Sequence, residues 1–121
     1  MHSIGIDIIE INRIEEAINR WGERFLRRVY TERELELCQN HSDSLAVYFA
    51  GKEAVMKVLG TGTRGVGWRE IEILSDSRGK PMVYLRNRAQ RRAEELGLNG
   101  LAISLSHSRD YAIASAVGEV G

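Results

Sequence analysis

Cysteine occurs once in the 121-residue chain, as Cys38, so no internal disulfide is available and an oxidising compartment gives the chain nothing. In "ELELC" this thiol reads as a half-buried structural group, not a nucleophile. Net charge is also missing: 17 lysines and arginines balance 17 acidic residues, which excludes a bulk polycation that coats nucleic acid regardless of sequence. Any partner must be recognised by a local patch. No stretch approaches the ~20 apolar residues that cross a bilayer, and the start "MHSIGIDIIEI" has no basic segment ahead of a long apolar run. The expectation is a cytoplasmic protein that binds neither membrane nor nucleic acid. Repeats, linkers and low-complexity tracts are absent too, so residues 1–121 are expected to form a single domain, burying roughly two thirds of the surface of the unfolded chain.

What is present is organised by period. "SIGIDIIEI", residues 3–11, is rich in isoleucine and predicts a central strand covered on both faces, with Asp7 near its middle. Asn12 with Glu15 three positions later predicts a helix start, burying Ile14, Ala17, Ile18 and Trp21. Thr31 with Glu34 repeats that signal ahead of a short helix through Cys38. The longest helix is expected from about Asp43 to Leu59, stopped by the glycine-rich "GTGTRGVG" of residues 60–67. A strand follows in "WREIEIL", with Ile71 and Ile73 alternating against Glu70 and Glu72. "SDSRGKP" predicts a turn and "MVYLR" another strand. Asn87 with Gln90 predicts a further helix ending at Gly97. "LAISLS" and "YAIASAVG" read as a final hairpin joined by "HSRD", residues 107–110. The pattern predicts an α+β fold, a compact domain with a mainly antiparallel sheet packed against helices.

Three features do not suit a purely structural role. On a helical wheel the segment "FAGKEAVMKVLG" is apolar nearly all round, yet it carries Lys52, Glu53 and Lys57. Glu53 and Lys57 share the remaining stripe with the small residues Ala46 and Ala50. They read either as an ordinary surface ion pair or as a carboxylate holding a divalent cation beside a lysine facing phosphate. Lys52 falls in the larger apolar arc, where a charge is costly unless its head reaches water or an anion. Asp7 raises the same problem in a strand. Its partner is an arginine, a helix cap, or a cation shared with Glu53. His107, between Ser106 and Ser108, can donate to a phosphate oxygen or orient a carboxylate. The loop with Gly60, Gly62 and Arg64 follows a helix instead of preceding one, so any phosphate contact there rests on its amides and Arg64. Arg20, Arg24 and Arg27, beside Arg13, are spaced to share one basic helical face if the first helix extends that far.

"GIDIIEINRI" at residues 5–14, "FAGKEAVMKVLGTG" at 49–62, "RGKP" at 78–81 and "SLSHSRDYAIA" at 104–114 together resemble the bacterial holo-[acyl carrier protein] synthases, the small phosphopantetheinyl transferases. Their order and spacing fit over nearly the whole chain. The resemblance implies transfer of the 4'-phosphopantetheine arm from coenzyme A to a serine of acyl carrier protein, releasing adenosine 3',5'-bisphosphate, in support of fatty acid or polyketide synthesis. It implies that Asp7 and Glu53 bind magnesium, with manganese as a substitute. Catalytic roles fall on Glu53, Lys57 and His107. The implied coenzyme A contacts are Lys52, Lys57, Gly60, Gly62, Arg64, Gly79, Lys80, Pro81, His107 and Ser108. Arg13, and with it Arg20, Arg24 and Arg27, would face the acidic carrier protein. The family also implies a homotrimer with active sites between neighbouring subunits. One position departs from it: Tyr48 stands where the family has an arginine that helps hold the nucleotide end of coenzyme A. Two other readings fit the same residues, a magnesium-dependent nucleotide hydrolase and a non-catalytic α+β binding module.

Overall fold

The computed structural model describes residues Met1–Gly121. The chain runs β1 (His2–Glu10), α1 (Ile11–Trp21), α2 (Glu23–Val29), α3 (Glu32–Cys38), α4 (Ser42–Leu59), a single turn α5 (Gly62–Gly65), a 3₁₀ turn at Trp68–Glu70, β2 (Ile71–Ser75), β3 (Pro81–Leu85), α6 (Asn87–Glu95), β4 (Leu98–His107) and β5 (Tyr111–Val120). Every strand pairing is antiparallel, in a three-stranded sheet ordered β1-β5-β4 and a separate β2-β3 hairpin. The α+β expectation holds. The order differs from the expectation in one respect, because β5 is the central strand and β1 lies at an edge.

The long helix α4 organises the rest, because it has buried residues on almost every side, from Leu45 through Leu59. One side packs with Ile71, Ile73, Ile103, Ala114 and Ala116, and the other lies among Ile14, Leu26, Val29, Tyr30 and Ala112. Small residues let helix and sheet approach closely. A Cβ on Gly5 would lie 2.0 Å from the Ala54 carbonyl oxygen and 3.0 Å from the Cβ of Lys57, so only glycine allows β1 to sit against α4 here. The Ser3 hydroxyl donates to the Val58 carbonyl at 3.1 Å, extending the same seam.

The alternation along β1 places Ser3, Gly5, Asp7 and Ile9 toward the helix and leaves Ile4, Ile6 and Ile8 outward, at 71%, 57% and 61% exposure. The expected double-sided cover is therefore corrected: one face of this isoleucine-rich strand is open. The capping box at Thr31 and Glu34 forms as expected, with both reciprocal bonds. Asn12 does not cap; Glu10 precedes the helix, and Asn12 donates instead to Glu16. Arg86, not Asn87, precedes α6, and Asn87 is left at φ 49°. Trp21 is not buried but 51% exposed. Glu72, which alternates with Ile71 and Ile73 in the sequence, is buried between the Thr31 hydroxyl and Arg86, each at 2.6 Å. The "SDSRGKP" turn forms around Asp76, whose carboxylate accepts the amides of Arg78 and Lys80. No helix is long and apolar enough to cross a membrane.

Candidate active site

Two residues separated by 46 positions in sequence are set side by side by the β1–α4 seam. Asp7 points inward from β1, and Glu53 and Lys57 leave α4 one turn apart on the face that Gly5 allows to approach. The Lys57 ammonium donates to the Ile6 carbonyl at 2.7 Å and to the Asp7 carboxylate at 3.4 Å. Glu53 is half-buried. Burial pushes its carboxyl above the usual carboxylate range, the negative charge of Asp7 pushes it further, and Lys57 opposes both. Two carboxylates thus repel each other across a small space with one ammonium between them and solvent.

That donor set fits a hard, oxygen-seeking divalent cation. No group of three or more acidic, histidine or cysteine side chains gathers anywhere in the chain. The protein therefore offers two carboxylates, and the remaining places fall to water and substrate oxygens, which is how magnesium is usually bound. Such an ion also offsets the repulsion from Asp7 that adds to the effect of burial on Glu53.

His107 lies elsewhere. In the sheet register Asp7 faces Ala114, which faces Leu105, whereas His107 faces Ala112 and, beyond it, Ile9. Two strand spacings across the sheet and two residues along it, about 12 Å in all, separate its backbone from that of Asp7. Its imidazole Nε2 is 3.8 Å from Asp43 near the start of α4, about 15 Å along the helix from Glu53, and its Nδ1 is 3.3 Å from the Ser108 carbonyl. The exposed edge beside β4 also carries a cleft of about 440 Å³ lined by Tyr48, Ser75, Gly79, Lys80, Pro81 and Ser104. Burial pushes the Tyr48 phenol up, partly offset by the neighbouring Ser75 side chain. The carboxylates beside β1 therefore lie at one edge of the sheet, and this cleft and His107 at the β4 edge opposite.

Lys52 is corrected as a candidate ligand contact. Its side chain is completely buried, 2.8 Å from Glu34, and donates to the carbonyls of Trp68 and Ile71. Burial pulls its ammonium down, and the Glu34 carboxylate works against that. Ala46 and Ala50, which share a stripe with Glu53 on the helical wheel, are fully buried in the core. Gly60 and Gly62 adopt positive φ after α4, and Arg64 is exposed on the turn that follows.

The single basic helical face is also corrected. Gly22, at φ 55°, ends α1, so Arg13 and Arg20 lie on one helix and Arg24 and Arg27 on the next. Arg27 is already paired with Glu23 at 3.0 Å and with Glu32. Arg20 lies 5.2 Å over the Trp21 ring. Beside these helices is a cleft of about 640 Å³ lined by Trp21, Arg24, Phe25, Arg28, Phe49 and Trp68. Sequence reasoning missed this cleft, because Trp21 was assigned to the core. It also missed Asp43 as the partner of His107, and Glu34, whose cap signal concealed a second task. The run Trp21, Arg24, Phe25, Arg28 was the available signal, with aromatic and basic residues at helical spacing.

A sequence model of the 4'-phosphopantetheinyl transferase superfamily matches residues 3–116. The holo-[acyl-carrier-protein] synthase of Herpetosiphon aurantiacus is 50% identical over 121 residues, covering 94% of this chain and 95% of that protein. The synthase of the same name from Halothermothrix orenii is 44% identical over 124 residues, covering 100% and 99%. Among solved structures, Helicobacter pylori holo-[acyl-carrier-protein] synthase in complex with coenzyme A superposes with a TM-score of 0.88 at 33% identity, over 96% of this chain and 99% of that one. With the motifs, the fold and the identities in agreement, the chain belongs to the holo-[acyl-carrier-protein] synthases of the 4'-phosphopantetheinyl transferase superfamily.

Proposed function

We propose that this chain transfers 4'-phosphopantetheine from coenzyme A to a serine of apo acyl carrier protein, releasing adenosine 3',5'-bisphosphate, in support of fatty acid or polyketide synthesis. The observation that carries the reading is the meeting of Asp7, Glu53 and Lys57 at the β1–α4 seam, in a chain of this family. Asp7 and Glu53 would hold magnesium, or manganese in its place, and the ion would supply charge neutralisation at the diphosphate.

The serine hydroxyl of the carrier forms the new oxygen–phosphorus bond as the bond to the bridging diphosphate oxygen breaks, and the electron pair leaves with adenosine bisphosphate. Glu53 or a water held by the carboxylates accepts the serine proton. Lys57, exposed at its head, turns from Asp7 to the phosphoryl oxygens and stabilises the charge that develops there. His107 and Ser108, with Gly79, Lys80 and Pro81 of the opposite cleft, contact coenzyme A. Gly60, Gly62 and Arg64 extend that surface, and Arg64 or Lys80 supplies the cation that Tyr48 lacks.

In this reading the carboxylates at one edge and the cleft at the other are half-sites of one active site, and the active form is a homotrimer. They lie on opposite edges of the sheet, and placing the β1 edge of one subunit against the β4 edge of the next brings carboxylates and cleft together. A head-to-tail contact of that kind forms a closed trimer when its rotation is one third of a turn. The open isoleucine face of β1, continued by Ile113 and Val117 on β5, supplies apolar surface for the assembly. Arg13, Arg20 and Arg24 dock the acidic carrier, and the aromatic cleft beside them takes its apolar side chains. Arg27, already paired, contributes less. The same reading puts the reaction in the cytoplasm.

Mass spectrometry of apo acyl carrier protein incubated with coenzyme A, magnesium and this protein tests the activity. The carrier is expected to gain one phosphopantetheine, and to gain none when a chelator is present. An unmodified carrier with hydrolysed coenzyme A would instead point to a nucleotide hydrolase.

A further inference from the structure

Apolar burial does little to set the rotation of α4 about its own axis. A helix with one apolar stripe is orientated by burying that stripe, but α4 buries residues on almost every side, so over most of its circumference turning it exchanges one buried aliphatic group for another. Its catalytic use nevertheless depends on that rotation. A turn of about 20° moves a carboxylate carried near the outer radius of a helix by about 2 Å, whereas a bound magnesium requires its ligands near 2.1 Å and a working site tolerates errors of about 0.5 Å.

Two contacts resist such a turn. One is the close approach of Gly5 to Ala54 and Lys57. The other is Lys52, about 200° round the helix from Ala54 and so on nearly the opposite side. Its ammonium is held at 2.8 Å by Glu34 and also by the carbonyls of Trp68, at 3.0 Å, and Ile71. Glu34 is itself fixed: its carboxylate accepts the Thr31 amide of the α3 capping box and the Ile73 amide of β2, each at 2.8 Å. Thr31 in turn donates to Glu72, which is bound to Arg86. The Lys52 side chain thus ties α4 to α3, to the 3₁₀ turn and to β2 at once. The next residue along the chain is Glu53.

We propose that the buried Lys52–Glu34 pair is a positioning device that fixes the rotation of α4 and so sets Glu53 and Lys57 against Asp7. The inference rests on the reading of Asp7 and Glu53 as the cation pair. It assigns Lys52 to neither coenzyme A nor metal.

The experiment compares the wild-type protein with Glu53→Gln, Lys52→Met and the double variant Lys52→Met/Glu34→Gln. Replacing both members of a buried ion pair leaves no unpaired charge, so the double variant is expected to recover the melting temperature that Lys52→Met loses. Binding of Mn2+ in the presence of coenzyme A is read by electron paramagnetic resonance, alongside kcat and the KM for the carrier. If the pair positions α4, the double variant melts near wild type yet binds Mn2+ about 10- to 100-fold more weakly, with kcat lowered and the carrier KM unchanged. Wild-type Mn2+ affinity and kcat in a double variant of restored stability would overturn the proposal and leave the pair a structural one. Should the double variant not fold, Lys52→Met, at a temperature where it is folded, is read by the same criteria. Undiminished Mn2+ binding in Glu53→Gln would overturn the cation pair itself, and this inference with it.

Discussion

Single side chains in this protein are governed by the balance between burial and partnership. Glu53 shows it most clearly. Its proton affinity is raised by burial and by Asp7, so folding favours the protonated carboxyl: the associated stability is complete below the ordinary carboxylate range and is lost as pH rises through the folded-state value. At neutral pH the ionised Glu53 is therefore a cost to the fold. Glu53→Gln is expected to leave the melting temperature at pH 7 unchanged or raised, measured by differential scanning calorimetry; a clear fall would show that the carboxylate is a structural group. Cys38 represents the opposite case. Burial, with the nearby Glu34, pushes its thiol up to about 12, so iodoacetamide at pH 8 should leave it unmodified in the native protein and alkylate it only after denaturation. Rapid alkylation of the native protein would contradict that burial. The sequence suggested a quiet thiol at this position. It could not show Lys52 paired internally, because its partner Glu34 already served as a helix cap and one side chain was not expected to do both.

The elements most legible from sequence were those specified by local chemistry. The Thr31–Glu34 box, the Asp76 turn and the span of α4 follow from neighbouring residues, and they formed where expected. Asp7 and Glu53 were legible as anomalies for the same reason, since each is a charge in an apolar segment. What could not be read was which face of β1 is covered, because isoleucines on both faces look alike whether the outer face meets another element or stays open. The break at Gly22 was also hidden, since arginine spacing continues through it. The β1–α4 seam makes a sharp prediction at this scale. Gly5→Ala forces a Cβ to within 2.0 Å of a backbone oxygen, and overpacking of this kind costs about 3 kcal/mol. The melting temperature should fall by about 10 °C, with kcat reduced in the protein that remains folded. A variant as stable and active as wild type would mean that helix and strand are not in this contact.

At the scale of the whole molecule, a neutral chain divides its charge unevenly. The exposed arginines of α1 and α2 stand beside an aromatic cleft, while the carboxylates lie at the β1 seam. Reversing Arg13 and Arg24 to glutamate is expected to raise the carrier KM at least tenfold and leave coenzyme A binding within about twofold, as steady-state kinetics at two salt concentrations would show. An unchanged carrier KM would remove the docking surface. Ile6→Asp places a charge on the open face of β1 and should convert a trimer into monomers by sedimentation, with loss of activity because the two half-sites separate. A wild-type protein that sediments as a monomer and is fully active would refute that assembly. The central claim is that a strand aspartate and a helix glutamate act together at the diphosphate. Its most direct test is the single-turnover rate of carrier modification by Glu53→Gln protein of verified fold, with magnesium saturating. The account predicts a loss of at least a thousandfold, about 4 kcal/mol of transition-state stabilisation, and a rate near that of the wild type would contradict it.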